Sequence, residues 1–129
     1  MATVIDFSSL IRAIESLESA LEAPPRNDLE RDGVIQRFEY TFELCWKMIR
    51  RVLLAQGRNQ VSASPRPLLR SALSEGYIDD ILVWFAFLEA RNSISHAYNA
   101  QFADEVYKKV CGFPVTARAL LTKLQQHAS

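Results

Sequence analysis

Residues 81–100 read ILVWFAFLEARNSISHAYNA. The first half of this stretch is almost unbroken apolar side chain. The second half gathers an arginine, an asparagine and one of only two histidines in the chain. Removing such groups from water without partners is costly, so they must be paired or stand at a surface. The apolar half is too rich for an ordinary outer helix. Leu82, Val83, Trp84, Phe85, Phe87 and Leu88 cover it nearly all the way round, whereas a helix on the outside of a small bundle needs only one apolar stripe. A helix greasy on both sides must be covered twice, once by its own bundle and once by something else. A second copy of the same chain does this economically, because a two-fold contact buries one patch twice. A homodimer is therefore expected, with deep burial inside a monomer as the alternative.

On either side of this segment, the chain reads as helix after helix. Asp6 followed by FSSLIRAIESLESALEA gives an N-cap and a first helix, with Phe7, Leu10, Ile11, Ile14, Leu17 and Leu21 in one stripe. Pro24 and Pro25 end it. A longer second helix starts near Asn27 or Asp28 and runs to about Gln56, where Gly57 supplies the stop. A short third helix has Ser64 as N-cap, Pro65 in its first turn and Gly76 after its end. Asp79 or Asp80 caps the fourth, which is expected to run from Ile81 to about His96. A fifth begins after Asn99 and continues to the end of the chain, bent near Pro114. The fold class is all-α: an antiparallel up-and-down four-helix bundle with an extra short helix, forming one domain over residues 1–129.

The bulk composition agrees. The chain is 49% apolar and 23% charged, with only four glycines, as in a globular helical protein. Its start, MATVIDFSSL, lacks the basic opening and apolar run of a signal peptide. The longest apolar run, Ile81 to Leu88, falls well short of the ~18 residues of a membrane span. A cytoplasmic protein is expected. Cys45 and Cys111 lie in apolar helical patterns with no CxxC spacing, and read as small core hydrophobes. No cluster of carboxylates or histidines has ligand spacing, so no metal or other cofactor is expected.

The net charge of zero conceals a pattern. From Leu44 to Ser74 the six charged residues, Lys47, Arg50, Arg51, Arg58, Arg66 and Arg70, are all basic. The stretch before is net acidic, and after Glu105 the chain is again only basic. Such segregation reads either as a local electropositive face suited to phosphate or an acidic partner, or as solvated helix faces.

Arg91 and His96 are the groups in the motif with the most chemistry to offer. Histidine titrates near neutrality, and arginine grips phosphate through two donors while staying charged. RNA cleavage by its own 2′-hydroxyl needs a base, an acid and positive charge on the crowded phosphate. At ~100° per residue Asn92 and His96 share one helix face, but Arg91 lies about 140° from His96. Either the helix frays near Ser95, or two copies meet so that each site borrows from the other chain. Two histidines, one per chain, then serve as acid and base at once. Spacing alone leaves open a simple surface histidine at a helix end. Ser93 and Ser95 lack a base and oxyanion arrangement, and no Gly-rich phosphate loop occurs anywhere. On the second helix, Glu39 and Glu43 either form helix-face ion pairs with neighbours such as Lys47, or Glu39, Tyr40 or Glu43 sits near the motif and holds Arg91. Arg37 and Glu43 are candidate supporting groups. Trp46 and Trp84 read as core or interface anchors, and His127 as a mobile terminal residue.

RNSISHAY also fits the pattern arginine, four residues, histidine, one residue, tyrosine that marks HEPN domains. RDGVIQRFEYTFELCWKMIRR resembles the long second helix of the nucleotidyltransferase substrate-binding-protein branch of that superfamily, and SPRPLLRSALSEGYIDD between the two is similar as well. The resemblance covers nearly the whole chain. It implies a dimerising helical bundle encoded beside a minimal nucleotidyltransferase. In toxin–antitoxin members the HEPN chain is a metal-independent ribonuclease and the nucleotidyltransferase is its antitoxin. Carried over, Arg91 would stabilise the scissile phosphate, His96 would transfer protons and Asn92 would orient the pair. Tyr98 matches the tyrosine that the partner enzyme can modify with adenylate. The branch itself is named for binding a nucleotidyltransferase's substrate. That name implies a second role, a non-catalytic subunit whose arginine and histidine hold RNA or nucleotide without cleaving it.

Overall fold

The computed structural model describes residues 4–128. Among them are six α-helices, one 3-10 turn and no strand: α1 (Ser8–Ala20), α2 (Asp28–Ala55), α3 (Pro65–Glu75), α4 (Ile81–Asn92), the turn Ser93–His96, α5 (Ala100–Val110) and α6 (Phe113–Ala128). The all-α class expected from the sequence is what the chain adopts.

The helix ends follow local chemistry. Asp6 lies one residue before the cap position and accepts the Ser8 N–H at 2.8 Å. Asn27 caps α2 by accepting from Glu30 N–H at 2.9 Å, and Asp80 caps α4 by accepting from Leu82 and Val83. Gly76 takes a left-handed φ of 82°, open to glycine without strain, so that the Tyr77 N–H reaches the Ala72 carbonyl at 2.8 Å.

Every other helix packs on α2, whose 28 residues form the spine. α1 lies against α2 and α6, α3 against α2 and α4, and α4 also against α5. Thr41, fully buried, ties α1 to α2. Its hydroxyl donates to the Arg37 carbonyl at 2.6 Å and lies 3.3 Å from the Ala13 carbonyl. At the centre, the Phe113 ring meets Phe38 at 5.1 Å, Phe87 at 4.8 Å and Trp84 at 5.7 Å between centroids, all edge-on. One ring thereby locks α2, α4 and α6 together.

The structure departs from the sequence reading in several places. The expected last helix is two helices. Pro114 has no N–H to give the Val110 carbonyl, and the chain turns at Cys111 and Gly112 before α6 begins at Phe113. That turn carries Cys111 to the surface, so only Cys45 is the buried core cysteine. Burial pushes the Cys45 thiol far above its ordinary range. The expected extension to the chain end involves residue 129, outside the described residues. His127 is not loose: its ring packs edge-on against Tyr77, 4.8 Å between centroids, and its carbonyl accepts from Gln56. No helix among the described residues is long and apolar enough to cross a membrane.

Candidate functional site at the end of α4

The motif sits where α4 changes character. The α-helix stops at Asn92 rather than running to His96, and it tightens instead of fraying: residues 93–96 form a 3-10 turn. Ser93 starts the change by donating its hydroxyl to the Ala90 carbonyl at 2.8 Å. The Ala97 N–H then reaches Ile94, and Asn99 reaches His96. With three residues per turn instead of 3.6, the angular relation between Arg91 and His96 is no longer that of a straight helix.

Arg91 points back at α2. Its Nε donates to Glu43 Oε1 at 2.9 Å, its Nη2 makes a shorter contact with the same oxygen, and its Nη1 donates to Asn92 Oδ1 at 3.0 Å. Both Arg91 and Glu43 are about a quarter exposed, at 27% each. Glu43 thus serves Arg91 rather than forming the helix-face pair with Lys47. Beside them lies an open cavity of about 650 Å³, lined by Glu39, Tyr40, Glu43, Leu44, Lys47 and Arg91. Arg37, expected as a supporting group, faces the other way. It donates to Ser16 on α1 and to the Gly33 carbonyl of its own helix.

His96 is exposed and leans on α5, its ring 5.7 Å from that of Phe102. Phe102 was not legible as a site residue, since an aromatic after an N-cap is indistinguishable from one more core residue; it is 45% exposed. Tyr98 is 88% exposed, on the rim of a second cavity of about 290 Å³ that includes Asp32, Ile35, Gln36, Glu39, Ile94 and Ala97. Glu39 borders both cavities. Within one chain, then, the structure joins Arg91, Asn92 and Glu43. His96 lies on the α5 side and does not line the cavity beside Arg91. Among the described residues no three of His, Cys, Asp and Glu gather as a metal-binding group.

The outer face of α4 remains apolar and open. Trp84, Phe87, Leu88 and Ala90 are buried, whereas Leu82 is 74% and Val83 38% exposed. The chain's own helices supply one cover for this helix and not the second.

These features define an all-helical domain with a cationic motif at a helix end and an uncovered apolar face beside it. The family is established by comparison: residues 5–126 match the family described as nucleotidyltransferase substrate binding protein like, and the chain belongs to it. A curated relative from Haemophilus influenzae, named probable ribonuclease HepT, is 35% identical over 97 residues, covering 73% of this chain and 66% of its own length. The chain thus spans just under two thirds of that relative. A solved structure from the same organism, described as revealing the fold of a substrate binding domain of a nucleotidyltransferase, superposes with a TM-score of 0.83 at 30% identity. The match covers 94% of this chain and all of that one. A crystal structure of a Thermus thermophilus protein gives a TM-score of 0.81 at 26% identity over 89% of this chain and 98% of that chain.

Proposed function

We propose that this chain is a HEPN-type endoribonuclease toxin that works as a homodimer without a metal, and that a minimal nucleotidyltransferase is its antitoxin. The observation that carries the reading is Arg91. Its guanidinium is oriented by Glu43 and Asn92 at a partly open surface, immediately before a turn that presents His96 and Tyr98 to solvent. A structural arginine would be expected to sit in a closed network, as Arg31 does among Asp28, Asp32 and Asp104. The name of the Haemophilus influenzae relative supports the same reading.

In a dimer packed through the open face of α4, the two motifs approach each other. One His96 takes the proton of the 2′-hydroxyl, whose oxygen then attacks the neighbouring phosphorus. The other His96 gives a proton to the departing 5′-oxygen, leaving a cyclic phosphate and a 5′-hydroxyl. Arg91 steadies the charge on the crowded phosphate, with Asn92 and Glu43 fixing its plane. Tyr98, fully accessible to a second enzyme, is the acceptor for adenylate. Its phenolic oxygen displaces pyrophosphate from the nucleotide, and the added anion beside Arg91 repels RNA.

A second reading has its own support, since Arg91 lines a cavity with Glu39 and Lys47 that lacks His96. In that reading the chain is a non-catalytic subunit presenting a substrate to the nucleotidyltransferase. Purified protein incubated with RNA in the presence of a chelator separates the two. The nuclease reading expects cleavage that is lost in both Arg91→Ala and His96→Ala, and it falls if both variants still cut. The subunit reading expects no cleavage by the wild type, and nucleotidyl transfer by the partner only when this chain is present.

A further inference from the structure

The acid-free stretch from Leu44 to Ser74 is not one uniform basic face. Arg58 is paired with Glu75, and the Asp6 carboxyl, held low chiefly by its hydrogen bonds from Ser8, also feels Arg12 and, least, Arg51. Arg66 and Arg70 differ from both. They are exposed, one turn apart on α3, and both rest on the same ring of α4. Their guanidinium carbons lie 4.4 and 5.7 Å from the Phe85 centroid. Among the described residues neither has an ion-pair partner.

Two like charges four residues apart on a helix repel each other, and the ring offsets this by attracting both. Pro65 and Pro67 bracket Arg66 in the first turn of α3, where their missing N–H groups are no loss and their rings fix the backbone. A guanidinium held over a ring by cation–π attraction still has N–H donors to offer another partner. The pair, over one ring and without ion-pair partners among the described residues, is free to receive an anion. Phe85 lies six residues before Arg91 on α4, roughly 9 Å along the helix axis and about 120° around it. Lys47 stands beside Arg91 in the cavity on α2, and one turn on, Arg50 Nε is buried without a hydrogen-bond partner. Cationic groups thus meet α4 at two places, Arg66 and Arg70 at Phe85 and Lys47 beside Arg91.

We propose that Arg66 and Arg70, held over Phe85, form a clamp for a second phosphate of the single-stranded RNA whose scissile phosphate is held at Arg91. This rests on the reading of the motif as an RNA-cleaving site, and it adds a second anchor that fixes the strand along α4. Nucleic acid is favoured over an acidic protein because the ring beneath the two arginines belongs to the same helix as Arg91, the group that holds phosphate in the proposed site.

The test uses a fluorescent single-stranded RNA oligonucleotide and full-length protein carrying His96→Ala, so that binding is read without cleavage, over a series of salt concentrations. Adding Arg66→Gln and Arg70→Gln together is expected to weaken binding about tenfold. It should also reduce the slope of log affinity against log salt by about 0.7, the value for one phosphate on a single strand. Arg66→Lys with Arg70→Lys should keep the slope, and matching thermal melts show that the variants are folded. Unchanged affinity and slope in the glutamine variant, alongside RNA cleavage by the wild type, overturns the clamp and leaves the nuclease reading intact. Absence of any RNA binding by the His96→Ala protein, with no cleavage by the wild type, removes both. Loss of binding to an acidic partner protein without loss of RNA binding also overturns the clamp.

Discussion

Glu43 meets Arg91 with a single carboxylate oxygen that accepts from two of its nitrogens. A phosphate arriving at Arg91 has to share the guanidinium with that carboxylate. Neutralising the side chain while keeping its shape should relieve the competition. Glu43→Gln is expected to strengthen RNA binding severalfold, no more than the ~1 kcal/mol of a partly exposed pair, and to lower the cleavage rate because the arginine plane is held less firmly. Anisotropy and single-turnover cleavage separate these two effects, and weaker binding in the variant would contradict the argument. The motif residues themselves could be picked out from the sequence, because arginine, asparagine, histidine and tyrosine crowd the end of an apolar run. Glu43 could be named only as one of two options. It lies 48 residues from Arg91, and a carboxylate four residues before a lysine looks the same whether it serves its own helix or another.

Between elements, the cross-link with the best geometry joins α6 to α1. Arg118 Nε and Nη2 donate to the two oxygens of Glu18 at 2.9 and 2.7 Å. These hydrogen bonds hold the Glu18 carboxyl below its ordinary value of 4.5. Because the folded value is lower than the unfolded one, the contribution to stability is complete above about pH 4.5 and is lost as pH falls through the folded value. Both side chains are about two-fifths exposed, at 43% and 39%, so the effect is small, on the order of 0.5 kcal/mol. Thermal melts of Glu18→Gln should therefore lie slightly below the wild type at neutral pH and converge with it in acid. A constant gap across that range would refute the assignment. Most helix limits were readable from caps, glycines and prolines, since those signals act within a turn. The end of α4 was not. The α-helix gives way to a 3-10 turn where the Ser93 hydroxyl turns onto the Ala90 carbonyl, a choice open to any serine in a helix and declared by none.

For the molecule as a whole, α4 poses the question of assembly. Its inner face is buried against the aromatic group around Phe113, while Leu82 and Val83 face outward. Sedimentation is expected to show a species near twice the 14.7 kDa chain mass. Leu82→Glu, a surface change that costs the monomer within about 0.5 kcal/mol, should split it and abolish RNA cleavage. A monomeric wild type at micromolar concentration would refute the shared site. In the proposed dimer, His96 and Arg91, turned to different sides of one chain, would act on one phosphate.

The order of residues was enough to set the all-helical class, the start of α3 at Pro65, the starts of α2 and α4 to within a residue, and the cluster of polar groups after the apolar run. Each is a matter of periodicity or of hydrogen bonds that close within a few residues. Packing alone settled that Glu43 takes Arg91, that Arg37 turns to α1, that Phe85 carries two arginines and that the face of α4 around Leu82 stays open. Those outcomes depend on how far each helix rotates about its axis when the core closes, which residues distant in the chain settle together and no local pattern encodes.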